Sequence, residues 1–185
     1  MDTKLIVDPR IRDGLSHLVR ALEVAGGDKF IVSILLVSAD GEHLSCFVGP
    51  SLPEAFCTAI EGEKIGPSAG SCGTAAYLGH AIYVHDIARD PLWDGYRDLA
   101  LPYGLRSCWS TPILDGGGEV VATFAIYHRR ASSPSTDEVE AIGHAAKALL
   151  PLIEAQAKRP RRPRRPAARA PVPEPRAEPE SPSRR

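Results

Sequence analysis

Two periods of hydrophobic and polar positions run along the chain, and the switches between them mark out its elements. Ile11, Leu15, Leu18, Val19 and Leu22 recur at helical spacing. Asp8-Pro9 ahead of them has the cap-then-proline order of a helix start, and Gly26-Gly27 ends the run. Residues 30–37, FIVSILLV, form an unbroken apolar, β-branched stretch, the pattern of a strand buried on both faces. Asp40-Gly41 then predicts a hairpin turn, because Asp-Gly accepts the positive φ such turns need, and residues 42–48 return as the partner strand. Ser51-Leu52-Pro53 predicts the capped start of a short helix reaching Ile60, followed by a brief extended piece at 63–65.

The second half repeats the alternation of strand and helix signals. A glycine-bearing loop at 66–70 leads into a helix predicted to be capped by Ser71 and to run through Leu78. Residues 81–87 read as a strand, and Asp86 or Asp90 ahead of Pro91 starts an irregular helical lid to about Leu101, broken by Pro102-Tyr103-Gly104. Strands at 107–114 and 119–128 flank a turn at 115–118. Ser135 and Glu138 stand at capping-box spacing, and Val139, Ile142, Ala146, Leu149 and Ile153 form the buried stripe of a last helix. Pro151 predicts a kink or early stop near Leu150, since an internal proline removes a helix hydrogen bond. Hairpins with helices gathered outside them make an α+β fold with mostly antiparallel strands.

Within residues 65–113 four words stand in order: GSCGTAA at 70–76, DIARDPLW at 86–93, YRDLAL at 96–101 and CWSTPI at 108–113. Together they resemble the ligand-sensing core of the GAF domain family, over about residues 5–157. The resemblance implies a profilin-like three-layer α/β/α arrangement: a central antiparallel sheet, terminal helices on one face, and a ligand pocket under shorter helices on the other. It also implies a sensory role without chemistry of its own, a protein effector for output, and a homodimer through the terminal helices, here by way of Leu15, Leu18, Leu22, Ile142 and Leu149.

The lid is the most informative stretch for a pocket. Leu92, Trp93, Tyr96, Leu99 and Leu101 supply apolar surface, Asp86 caps, and Arg97 is placed to pair with Asp98 outside. Trp93 and Tyr96 are three apart and share a helix face. Alternation along the strand after it sends Cys108, Ser110 and Pro112 to one face and Trp109, Thr111 and Ile113 to the other. Tyr83, His85, Thr123 and Ala125 on neighbouring strands complete the candidate wall, and Cys72 enters from the glycine-bearing loop. The opposing reading is a filled core, with the loop glycines present only for close packing.

Several chemistries lack their parts. Cys72 stands in a GxCGTA word like that of the GAF-fold free methionine sulfoxide reductases. Those enzymes need a cysteine ten residues earlier, where this chain has Gly62, and another in the lid, where it has none. Cys108 precedes Trp109 and not a histidine, against tetrapyrrole attachment, and the NKxFxxxDE word of cyclic-nucleotide GAF modules is missing, so the cofactor or ligand is unassigned. The six histidines show no metal-ligand spacing, and no nucleophile–base pair is readable. The four cysteines show no CxxC spacing and predict free thiols in a reducing cytoplasm. The apolar stretch at residues 1–7 is too short for a signal peptide or a membrane span.

Composition then divides the chain. Of 22 basic and 23 acidic residues, ten and three lie in residues 158–185, so an acidic body of 12 basic and 20 acidic residues carries a basic tail with eight prolines. The expected organisation is a GAF domain at 1–157 and a disordered Pro/Arg-rich tail at 158–185. Lys158, Arg159, Arg161, Arg162, Arg164 and Arg165 are candidates for contact with nucleic acid or another anionic surface, against the plainer reading of a solubilising tail. The functional expectation is a non-enzymatic module binding a small molecule or a protein partner. A Cys72-dependent reductase and a nucleic-acid adaptor working through the tail are the alternatives.

Overall fold

The apolar run of β1 (Phe30–Val37) is buried at every position after Phe30, because β1 lies inside a sheet covered on both faces. The computed structural model describes residues 8–27 and 29–156. Its sheet is six-stranded and antiparallel throughout, in the order β3 (Glu63–Lys64), β2 (His43–Val48), β1, β6 (Val120–His128), β5 (Ser107–Leu114), β4 (Ile82–Val84). The fold is α+β, as the pattern predicts. The Asp40-Gly41 turn joins β1 to β2 with Gly41 at φ 78°, a conformation that costs glycine little.

One face carries the terminal helices. Helix α1 (Pro9–Ala25) begins as its sequence predicts, with the Asp8 carboxylate accepting from Arg10 N at 2.9 Å, and Gly26 caps its end. Helix α5 (Thr136–Gln156) opens on the predicted capping box: Ser135 N donates to Glu138 Oε2 at 2.8 Å and Glu138 N to Ser135 Oγ at 3.3 Å. Between these helices and the sheet lie Leu15, Val19, Val32, Ile34, Trp109, Ile113, Phe124, Ile142, Leu149 and Ile153.

Of the kink or early stop expected at Pro151, the stop is corrected. The last helix does not stop near Leu150. It runs through Pro151, which forfeits one backbone bond while the fully buried Ile153 holds the following turn on the sheet. In α1 the inward stripe is Leu15, Val19 and Glu23, whereas Leu18 and Leu22 are about half exposed. Glu23 is fully buried because its carboxylate has work there: it accepts from Val32 N at 2.8 Å, just beyond the β1–β2 pairing, and from Ser51 Oγ and Arg20. Ser51 is thereby drawn to Glu23 and does not cap α2 (Glu54–Ala59), whose N-cap is Pro53.

The other face is covered by α2, α3 (Gly70–Leu78) and the segment from Asp86 to Gly104. That segment is the expected irregular lid: a 3-10 turn at Pro91–Trp93, helix α4 (Arg97–Ala100) and a second 3-10 turn at Leu101–Tyr103. Asp90 caps its first turn by accepting from Leu92 N at 2.9 Å. Arg97 does not pair with Asp98. It turns back onto the lid, donating to the carbonyls of Ile87 and Asp90 at 3.2 Å each and to Asp94 at 2.6 Å, so one guanidinium ties three parts of the loop together.

Candidate functional site

The lid-side face of the sheet carries a run of small polar groups. Side chains alternate along β5 and β6, so Cys108 and Ser110 share this face with Thr123, Ala125 and Tyr127. From β1, Ser33 stands opposite Ala125, and Leu35 opposite Thr123. Ser33, Ser110 and Thr123 are fully buried and make no well-formed hydrogen bond, although Ser110 and Thr123 stand close enough to favour the Cys72 thiolate and Ser33 to bear on the Tyr127 phenol.

Helix α3 lies over these groups. Its first residue, Gly70, takes φ +59°, and a Cβ there would meet the rings of Trp93 and Tyr96 at 3.8–3.9 Å. The helix is not capped by Ser71. Ala69 is the N-cap residue, and Thr74 Oγ1 accepts from Ala69 N at 3.2 Å. Ser71 instead lies fully buried in the first turn, where its hydroxyl accepts from Trp93 Nε1 at 3.0 Å and donates to the Cys108 carbonyl at 3.3 Å. Lid, helix and central strand are thus joined through one hydroxyl.

Beside this junction is a cavity of about 40 Å³, walled by Leu35, Leu44, Phe56, Ile60, Cys72, Trp93 and Tyr127, with Glu63, Lys64, Tyr96 and the Ala69–Gly73 turn around it. Such a space has room for a water molecule or two. Trp93 and Tyr96 pack edge to face with centroids 6.3 Å apart, and Tyr96 Oη donates to Glu63 Oε2 at 2.9 Å. Burial, then the bond to Glu63, push the Tyr96 phenol up to about 12.

The thiol of Cys72 sits 4.0 Å from Tyr127 Oη. Its pKa is drawn below the usual thiol value, first by hydrogen bonding from Cys108 and against the opposing effect of burial. Burial drives Cys108 and Tyr127 the other way. Of these three groups Cys72 is the most acidic.

Of the expected wall residues, Cys72, Trp93 and Tyr96 meet at the cavity, and Cys108, Ser110 and Thr123 lie on the same face of the sheet. Leu99 packs at the edge of the lid-side core. Asp86 anchors the lid from outside, accepting from Ala88 N at 3.1 Å and Arg106 at 3.2 Å. His85 is exposed, with Nδ1 3.1 Å from Ser133 Oγ. Tyr83, Trp109 and Thr111 belong to the opposite face. Trp109 Nε1 donates to the Ser132 carbonyl at 3.0 Å and its ring lies 4.2 Å from that of His128, while Tyr83 packs among the terminal-helix core. Thr111 lines a separate hollow of about 370 Å³ between α3's end, β5 and α5, together with His80 and Lys147. The tail cations Lys158 to Arg165 fall outside the described residues.

The residues that the hallmark words do not bring forward are Glu63, Phe56, Ile60 and Tyr127. Tyr127 was within reach, because the alternation from Thr123 through Ala125 continues to it. Phe56, Ile60 and Glu63 come from elements adjacent only after folding. Among the described residues, no group of three or more His, Cys, Asp or Glu side chains is placed to hold a metal ion. No helix among them is long and apolar enough to cross a membrane.

A sheet with the terminal helices behind it and a small lidded cavity in front is the arrangement of a GAF-like sensory α+β domain. Residues 15–149 match the GAF domain family, and the chain belongs to it. The methyl sulfide methyltransferase-associated sensor of Methanosarcina acetivorans is 34% identical over 112 residues, which are 60% of this chain and 11% of that protein. The chain therefore spans about a tenth of that relative's length. The free methionine-R-sulfoxide reductase of Neisseria meningitidis, solved with its substrate, superposes with a TM-score of 0.60 at 23% identity over 79% of each chain. The GAF domain of a phosphoenolpyruvate-protein phosphotransferase from Coxiella burnetii gives 0.62 at 15% identity, covering 78% of this chain and 83% of that one. These two likenesses concern the fold alone.

Proposed function

We propose that this chain is a sensory module whose ligand occupies the space between β1, β6, α2, α3 and the lid. The observation that carries this reading is a cavity of about 40 Å³ under the lid whose otherwise apolar wall includes Ser71, Cys72 and Tyr127. Behind Cys72 and Tyr127 the same face of the sheet carries the buried hydroxyls of Ser33, Ser110 and Thr123, a polar interior of the kind that buried water or a bound molecule helps to satisfy. The cavity as it stands is smaller than typical ligand pockets of roughly 300–1,000 Å³, so binding requires α2 or the lid to move outward. The walls favour a small, mostly apolar molecule with one hydrogen-bonding end directed at Ser71, Cys72 and Tyr127. The M. acetivorans relative, a sensor by name, supports the same assignment. Output passes to a protein effector, and the exposed Leu18, Leu22, Val24 and Leu152 support pairing of two copies through the terminal helices.

Native mass spectrometry of the protein purified from its own host, with the denatured mass alongside, tests the reading. A co-purifying small mass that is lost on denaturation, and absent from a Trp93→Ala variant, is the expected result. A bare protein in both spectra overturns it.

A Cys72-dependent sulfoxide reductase is the second reading. Its support is the acidic Cys72 thiol and the N. meningitidis fold relative. Against it, position 62 is Gly62, exposed and at φ +75°, and Cys108 is sealed inside β5. Turnover of a free sulfoxide abolished by Cys72→Ser is the observation that would establish it.

A further inference from the structure

The two cysteines outside the cavity meet each other. Cys46 on β2 and Cys57 on α2 are eleven residues apart in sequence, and their sulfurs stand 3.0 Å apart, Cys46 Sγ donating to Cys57 Sγ. Both are unbridged and partly exposed, unlike the buried Cys72 and Cys108. Each belongs to an element that walls the cavity: β2 supplies Leu44, and α2 with the residue that follows it supplies Phe56 and Ile60.

We propose that Cys46 and Cys57 are a redox modification site, closing reversibly to a disulfide that pins α2 onto β2. A disulfide bond of about 2.05 Å needs the sulfurs to approach by roughly a further ångström, a matter of side-chain rotation. The reaction partner is a low-molecular-weight disulfide. Cys57, as thiolate, attacks one of its sulfurs, forming a mixed disulfide and expelling one small thiolate, which takes up a proton. Cys46 then loses its proton to solvent and attacks Cys57 Sγ, expelling the second small thiol. Two protein thiols are oxidised to one disulfide, and one small disulfide is reduced to two thiols.

The local chemistry assigns the two roles. The hydrogen bond from Cys46 lowers the Cys57 thiol pKa and raises that of Cys46, so Cys57 is the attacking group and Cys46 the resolving one. Cys46 is held in place through its own backbone: its N–H, past the end of the β2–β3 pairing, donates to Glu61 Oε2 at 2.9 Å. The carboxylate of Glu61 opposes thiolate formation at both sulfurs and the guanidinium of Arg12 favours it. The disulfide would restrain α2, one of the two elements, with the lid, whose outward movement would admit a ligand. The site itself does not depend on the cavity being occupied.

The test is equilibration of the full chain with glutathione and glutathione disulfide over a range of ratios, acid quenching, alkylation of remaining thiols and peptide mapping. Expected is a peptide pair joined through Cys46 and Cys57, lighter by two hydrogens, reversed by excess reduced glutathione, with Cys72 and Cys108 still alkylated after unfolding. Cys46→Ser should stop at a glutathione adduct on Cys57, and Cys57→Ser should take up glutathione more slowly. Amide exchange at 54–60 should slow about tenfold in the oxidised wild type, since local opening of α2 is restrained. Separate glutathione adducts on both cysteines, a link between two chains, or no reaction at an oxidising ratio would each overturn the proposal. Because the crosslink is read on the wild-type chain, a poorly folded variant does not decide the outcome.

Discussion

The indole N–H of Trp93 donates to Ser71 Oγ at 3.0 Å, and that hydroxyl donates onward to the carbonyl of Cys108. Trp93 comes from the lid, Ser71 from α3 and Cys108 from the sheet, so the bond holds the roof of the cavity to its floor. Ser71→Ala leaves the indole N–H buried without a partner, and an expected loss of about 1–3 kcal/mol follows. Urea unfolding measures it. In a Trp93→Phe background the same substitution should cost distinctly less, and equal costs in both backgrounds would show that the bond contributes nothing.

Glu23 makes a similar connection on the opposite face. Glu23→Ala removes the acceptor for the buried Val32 N and for the partly exposed Ser51, at an expected cost of about 2–4 kcal/mol. Glu23→Gln keeps the shape and one acceptor, so it should cost less. Chemical denaturation of both variants checks the order.

Tyr96 provides a pH signature. Its phenol is pushed up to about 12 by burial and by Glu63, so the folded state favours the protonated form more than the unfolded chain does. That contribution is fully present below the ordinary tyrosine value of about 10 and is lost as pH rises through about 12. The ring-carbon NMR titration of Tyr96 should therefore lie well above 10 in the native protein. Glu63→Gln should bring it part of the way down, because burial remains. A midpoint near 10 in the native chain would contradict the Tyr96–Glu63 contact.

Gly70 tests the fit of α3 against the lid. Gly70→Ala puts a side chain at φ +59°, in the left-handed region, and beside the Trp93 and Tyr96 rings. The backbone strain alone is about 1–2 kcal/mol. Thermal unfolding should show the loss. Gly66→Ala, where a Cβ would meet open space, should come out near neutral by comparison.

Much of the framework was legible in the chain because its signals are local. The Asp8 cap, the Ser135–Glu138 box, the Asp40-Gly41 turn and the limits of β5 each depend on residues within a few positions of one another. Local signals misled where a side chain had a distant use. Ser71 and Ser51 read as caps, yet both hydroxyls are drawn away, by Trp93 and by Glu23. Pro151 read as a kink or an early stop, yet α5 does not stop there, and the buried Ile153 holds its next turn on the sheet.

The sequence by itself determined the element order, the α+β class, the GAF resemblance and the division of β5 into two faces, since each follows from short-range periodicity or an ordered set of words. Alternation could separate Trp109 and Thr111 from Cys108 and Ser110, but only the folded chain decided which set looks toward the lid. That choice depends on where α1 and α5 pack against the sheet, and their buried stripes do not name the face they will cover. The meeting of Cys46 with Cys57, and of Glu63 with Tyr96, was likewise decided by folding. Contacts between separate elements form when apolar faces are buried together, and no local period along the chain records which distant residues will then be neighbours.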